Sequence, residues 1–171
     1  VSDDGLTWTF HLRGARWNDG TPITSQTVVD SWLRTLDPAT GAPYAWLIGM
    51  VVVGARDYTY GEGSVGREAV QIRAVDEHTF QVELLEPASY LPAMLSHGAF
   101  GVLPLHAIEQ HGDRWTEPGR IVSNGPFRLE KHTRDGTLVL VRDEAYRNVD
   151  DVRIGTVVCS TVQDPDRKSV V

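Results

Sequence analysis

Three groupings in this sequence carry residue types that could do chemistry: the run Gly61-Glu62-Gly63-Ser64-Val65-Gly66, the pair His106 and His111, and the polar aromatics Tyr44, Trp46 and His97. The run fits G-x-G-x-x-G, the spacing of a loop that cradles a dinucleotide or phosphate on free backbone N–H groups at a helix N-terminus. That chemistry needs a buried strand before the loop and a helix after it. Here Arg56-Asp57-Tyr58-Thr59-Tyr60 precedes the run and the strand-like Val70-Gln71-Ile72-Arg73-Ala74-Val75 follows. The run therefore reads as a surface loop. The two histidines fall on one expected helix, but five positions rotate by roughly 140°, so the imidazoles diverge and cannot share a metal as an i, i+4 pair would. Cys159 is the single cysteine, which excludes an internal disulfide and a cysteine-rich metal site.

Nucleophilic catalysis has no local signature either. No serine sits on a G-x-S-x-G elbow, and Ser123-Asn124-Gly125-Pro126 is a turn by composition. Asp3-Asp4 and Asp150-Asp151 lie in polar stretches and read as solvated surface. We assign no catalytic, cofactor or metal residue; an enzyme whose site is assembled from distant segments stays open as a rival, because such a site leaves no local motif. Tyr44 and Trp46 follow a proline-containing turn, where a chain reversal could present them to a ligand, and His97 sits at a helix end beside Gly98. On spacing alone each of these reads as structural.

The elements that must position them follow from periodicity. Residues 7–13, TWTFHLR, alternate strictly and predict a half-buried strand with Trp8, Phe10 and Leu12 inward. Over 21–36, Thr24 or Ser25 is an N-cap, and Val28, Val29, Trp32, Leu33 and Leu36 recur at helical spacing. Asp37-Pro38 stops that helix. Residues 43–53, PYAWLIGMVVV, are nearly all apolar and predict either a buried helix or an irregular segment. Residues 70–75 and 79–85 predict one hairpin, 126–132 and 137–143 a second, with short helices near 89–96 and 104–111. A last strand is expected at 152–158, leaving a sheet edge without an evident partner, as in a fragment of a larger domain. The 171 residues suffice for one core; 41% apolar and 23% charged residues describe a globular chain, and a formal charge of −7 without a Lys/Arg run argues against a nucleic-acid groove. No apolar run is long enough to span a membrane, and no signal peptide is visible.

The segment DGLTWTFHLRGARWNDGTPITSQTVVDSW, residues 4–32, strongly resembles the characteristic stretch of extracytoplasmic peptide-binding proteins, the oligopeptide- and dipeptide-binding components of ABC importers. The likeness continues in order through LDPATGAPYAW, VQIRAVDEHTFQVELLEPASYLPAML, HGDRWTEPGRIVSNGPFRLEKH and LVLVRDEAY, with the oligopeptide-binding branch closest. The resemblance implies an α+β chain: a β-rich small domain over 1–120 with antiparallel hairpins and several short helices, then, over 121–171, part of the first lobe of a two-lobed protein. It implies a non-catalytic receptor that closes around an extended peptide and hands it to a membrane permease, periplasmic or otherwise extracytoplasmic, with a lipid anchor as an option, and monomeric at full length.

By the same resemblance, Tyr44 matches a tyrosine that contacts the bound peptide and His97 a histidine near a side-chain pocket; hydroxyl and imidazole each offer a directional hydrogen bond beside an apolar body. Trp17 and Trp32 are expected to pack. The pattern departs at Tyr146-Arg147, where relatives have Tyr-Trp, and in the 61–69 loop; it fades beyond Thr156, and the terminal KSVV carries no assigned function. Without a second lobe, these residues alone are expected to bind peptide weakly or not at all. A receptor for another solute, such as a metal chelate or oligosaccharide, is the rival within the class.

Overall fold

The computed structural model describes residues 1–61, 63–134 and 136–160. In chain order its elements are β1 (Thr7–His11), β2 (Ala15–Arg16), β3 (Pro22–Ile23), α1 (Ser25–Leu36), α2 (Ala45–Gly49), α3 (Ala55–Tyr60), β4 (Ile72–Asp76), β5 (Thr79–Glu83), α4 (Leu91–Met94), α5 (Leu105–His111), β6 (Phe127–His132), β7 (Leu138–Arg142) and β8 (Thr156–Cys159), with short 3-10 turns between them. The mixture is α+β, as expected. Contacts divide the chain into two compact units, Val1–Ala15 with Pro22–Leu105 and Arg16–Thr21 with His106–Val171.

In the first unit an antiparallel sheet of order β1-β5-β4 carries α1 on one face. The register sets Phe10 beside Phe80 and Ala74, and Trp8 beside Val82 and Ile72, so alternate residues of all three strands point to the core. Helix propensity does not account for α1, because Thr27, Val28, Val29 and Thr35 are β-branched and each costs a few tenths of a kcal/mol. Burial does account for it: Val28, Val29, Trp32, Leu33 and Leu36 leave water together, at about 1.5–3 kcal/mol each. Thr24, of the two candidate caps, takes the role: its Oγ1 accepts from the Thr27 amide (3.3 Å) while Thr27 Oγ1 accepts from the Thr24 amide (3.1 Å). Ser25 instead donates its hydroxyl to the Asp76 carbonyl, fastening the helix start to the β4–β5 turn.

Trp32 is the centre of this core. Its ring stands edge-on to Phe80 and Phe100, with centroids 5.9 and 5.1 Å away, and its Nε1 donates to the Phe100 carbonyl at 3.0 Å. Two residues of the same helix, Ser25 and Ser31, are polar and fully enclosed, and each is satisfied: Ser25 by the Asp76 carbonyl, while Ser31 donates to the Thr27 carbonyl (2.6 Å) and accepts from the Leu103 amide (2.9 Å). Trp8 is only half-buried, packed against the core with its indole N–H lacking a partner among the described residues.

The open choice over 43–53 resolves into both alternatives in turn. Ala45–Gly49 is a short helix, and then Val51-Val52-Val53 is irregular, an isolated antiparallel bridge of Val52 to Leu84 flanked by turn residues, with Val53 N donating to the Glu83 carbonyl (3.0 Å) and Leu85 N to the Val51 carbonyl (2.9 Å). Three consecutive β-branched residues favour that switch. Gly54 follows at φ +76°, and a Cβ there would run into the Ala69 carbonyl, so only glycine fits. The turn starts α3, a helix the sequence pattern did not announce.

In the second unit β6, β7 and β8 form an antiparallel sheet in that order. The last strand, β8, pairs along β7, from Leu138 opposite Cys159 to Val141 opposite Thr156, and forms an edge of this sheet among the described residues. It also begins four residues later than expected, since a 3-10 turn at Val149–Asp151 is closed by Val152 N on the Val149 carbonyl. Replacing Trp32 with Phe should keep the ring contacts but strand the Phe100 carbonyl and open space, costing about 2–4 kcal/mol of stability. Urea unfolding measures this, and a loss below about 1 kcal/mol would mean the indole N–H is dispensable.

Candidate functional site

Tyr44 and His97, far apart in sequence, are neighbours in the first unit. Their rings meet edge-to-face with centroids 4.9 Å apart and an interplanar angle of 68°. Tyr44 immediately precedes α2, whose inner residues Ala45 and Ile48 are buried, so the helix is seated while the tyrosine ring stays in solvent. His97 caps the 3-10 turn Gly98–Phe100: its Nδ1 accepts from the Ala99 amide at 3.1 Å. A neutral imidazole that accepts at Nδ1 carries its proton on Nε2, so the exposed edge of the ring is a hydrogen-bond donor. The Phe100 amide in turn bonds the His97 carbonyl at 3.0 Å, three residues from the carbonyl that Trp32 holds.

Beside α2 lies a pocket of about 230 Å³, lined by Trp46 and Gly49 from α2, by Met50 at its C-cap, and by Arg56 and Tyr60 from α3. Trp46–Met50 and Arg56–Tyr60 are both i, i+4 pairs, hence two side-chain ridges, with Gly49 lying against Arg56. The run Gly61–Gly66 that follows α3 has no strand before it, and a 3-10 turn, Arg67–Ala69, after it. A phosphate cradle is thereby ruled out, with Glu62 of that run outside the described residues.

The RWNDGT stretch binds its own unit together. Gly20 N reaches the Trp17 carbonyl (2.9 Å) and Arg16 Nη1 the Gly20 carbonyl (2.9 Å), making a tight turn over a buried Trp17. Asn18 and Ser123 exchange two bonds, Asn18 N to the Ser123 carbonyl (2.8 Å) and Ser123 N to Asn18 Oδ1 (3.2 Å). Asp19 Oδ1 accepts from the Thr21 amide (2.9 Å) and Oδ2 meets His106 Nε2 at 2.7 Å. Burial pushes the Asp19 carboxyl up, but the Thr21 amide and the His106 ring outweigh it and hold it below the usual aspartate range. His106 is thus a partner of this turn rather than a free surface histidine, and no cluster able to hold a metal occurs among the described residues.

Residues 1–170 match the family model of bacterial extracellular solute-binding proteins, family 5, middle region. The chain belongs to this family. It is 38% identical over 169 residues to the periplasmic oligopeptide-binding protein OppA of Escherichia coli K12, covering 96% of this chain and 31% of that protein. The crystal structure of Haemophilus influenzae OppA in complex with RPPGFSPFR superposes with a TM-score of 0.88 at 31% identity, covering 96% of this chain and 32% of that one. The probable deoxycholate-binding periplasmic protein YgiS of E. coli K12 is 31% identical over 150 residues, 86% of this chain and 28% of that protein. The chain therefore spans about a third of the length of the relatives it matches.

The family match runs to residue 170, past Thr156, beyond which the likeness was expected to fade; the terminal KSVV lies outside the described residues. The structure brings Tyr44 and His97 together, whereas Trp46, read with Tyr44, turns to the pocket wall instead. That pocket escaped sequence reading because α3 did; the one signal was Thr59 four residues after Ala55, whose hydroxyl bonds the Ala55 and Leu36 carbonyls at 3.0 and 2.9 Å.

Asp19→Asn tests the clamp through pH. A carboxyl whose folded pKa lies below its unfolded value of about 3.9 contributes stability above that value and loses it as pH falls through the folded pKa. The variant should be less stable than the parent at pH 7, with a smaller gap at pH 3. Urea midpoints at the two pH values check this; a gap that stays constant would show that the charge is immaterial.

Proposed function

We propose that this chain is part of a non-catalytic receptor that binds peptides outside the cytoplasm and delivers them to the membrane permease of an ABC importer. The observation that carries the reading is the Tyr44–His97 pair: two exposed rings from separate elements, held edge-to-face, one offering a hydroxyl and the other an Nε2–H. An extended peptide presents backbone carbonyls and amides at regular spacing, which such directional groups can meet without regard to side-chain identity. Membership of the solute-binding family and the name of the E. coli relative, an oligopeptide-binding protein, support it. In this reading residues 1–120 form the small β-rich domain and 121–171 begin the first lobe, the whole protein is a periplasmic or extracytoplasmic monomer, and a lipid anchor is an option. The peptide is enclosed when the lobes close.

A second reading, a receptor for another solute, is favoured by the similarity to YgiS, whose name points to deoxycholate. The two readings part on one measurement. Calorimetric titration of the intact protein with mixed tri- to pentapeptides and, separately, with deoxycholate should give heat with peptides only. Tyr44→Ala and His97→Ala should each weaken peptide binding about tenfold, corresponding to about 1.4 kcal/mol, and Tyr44→Phe only a few-fold. Binding of peptide that neither substitution touches would place the site elsewhere, and a response to deoxycholate alone would favour the second reading.

A further inference from the structure

The pocket between α2 and α3 is separate from the Tyr44–His97 pair, neither of which lines it. Its walls are apolar and conspicuously wet: Trp46, Met50 and Tyr60 stand 46%, 57% and 55% exposed, although large apolar side chains gain most from burial. Gly49 keeps the floor low, where a β-carbon would come 3.5 Å from the Arg56 Cα and raise it. The lining includes one formal charge, Arg56, whose guanidinium makes no hydrogen bond or ion pair among the described residues. Arg67, the next arginine along, is by contrast paired with Asp30 at 3.2 Å. Asp57 lies about 100° around the helix from Arg56 and so faces away from the ridge that Arg56 shares with Tyr60.

We propose that this pocket binds a small carboxylic acid with an apolar body, the ring or chain lying between Trp46, Met50 and Tyr60 and the carboxylate meeting Arg56. The guanidinium fork matches a carboxylate through two parallel N–H···O bonds, and an indole, a phenol and a thioether suit a flat or flexible apolar group. Size decides the class further. At about 230 Å³ the space falls below the ~300–1,000 Å³ of pockets that hold drug-sized ligands, so it takes a group the size of one side chain and not a steroid or an oligopeptide. In a chain of net charge −7, a lone cation among aromatic walls selects for an anion locally.

The probe is 3-phenylpropionate, and 3-phenylpropionamide is its uncharged counterpart; saturation-transfer NMR and tryptophan fluorescence report binding to the intact protein. The acid should bind in the millimolar range and the amide about tenfold more weakly, a difference of about 1.4 kcal/mol. Arg56→Gln should erase that preference, Trp46→Ala should weaken both probes, and Arg128→Gln, an exposed arginine in the other unit, should change neither. Both targeted side chains are exposed, so the variants keep the core intact, and the acid–amide comparison on the unaltered protein stands without them. Equal binding of acid and amide, no binding at tens of millimolar acid, or insensitivity to Arg56→Gln would overturn the assignment. So would displacement of the acid by a tripeptide, which would put it in the peptide site.

Discussion

The hydrogen bond from Trp32 to the Phe100 carbonyl is the constraint on which the first unit depends. An indole in a dry core must place its one N–H, and here the acceptor comes from a turn sixty-eight residues downstream. Because the ring also packs edge-on against Phe80, the same side chain fixes α1 against the sheet and holds the 98–100 turn onto α1. His97 is one hydrogen bond from that anchor, and α2, which carries Tyr44 at its start, is pinned to the same core through Ile48. Two exposed side chains thus inherit the rigidity of buried ones. That is how a loop residue can hold a ligand group to a fraction of an ångström without being buried itself.

Much of this was legible in the sequence, for reasons that differ between elements. The 7–13 alternation, the Thr24 cap and the Asp37-Pro38 stop each rest on a local rule, and the structure follows them, with the strand ending two residues early at His11. The hairpins at 70–85 and 126–143 were legible from alternation and polar turns. What escaped was local sequence whose meaning is set from outside. Ala55–Tyr60 becomes a helix because Gly54 turns under the Ala69 carbonyl and Ala55 fits against the core, neither visible in the hexapeptide itself. Residues 43–53 change from helix to an irregular segment with one isolated bridge within a single apolar run, and no single period describes that.

The candidate site divides the same way. Nothing in the spacing of Tyr44 and His97 joins them; a resemblance nominated both, and the fold brings their rings into contact. The α2–α3 pocket could not have been nominated, since its ridges belong to a helix pair of which one member was unseen. His106 went the other way, from an unremarkable surface residue to the partner of Asp19, because the turn it meets lies 87 positions upstream.

That last separation bears on the order of folding. The segment 16–21 leaves the first unit's chain and completes the second, so its contacts with His106 and Ser123 close loops of 87 and 105 positions. Closing such a loop from an open coil costs about 4 kcal/mol in chain entropy, more than an exposed carboxylate–imidazole pair returns. Both flanks of the segment, at 15 and 22, belong to the first unit, as does residue 105, where the chain departs for the second. During synthesis the RWNDGT turn emerges 87 and 105 positions ahead of the His106 and Ser123 partners that its Asp19 and Asn18 bond.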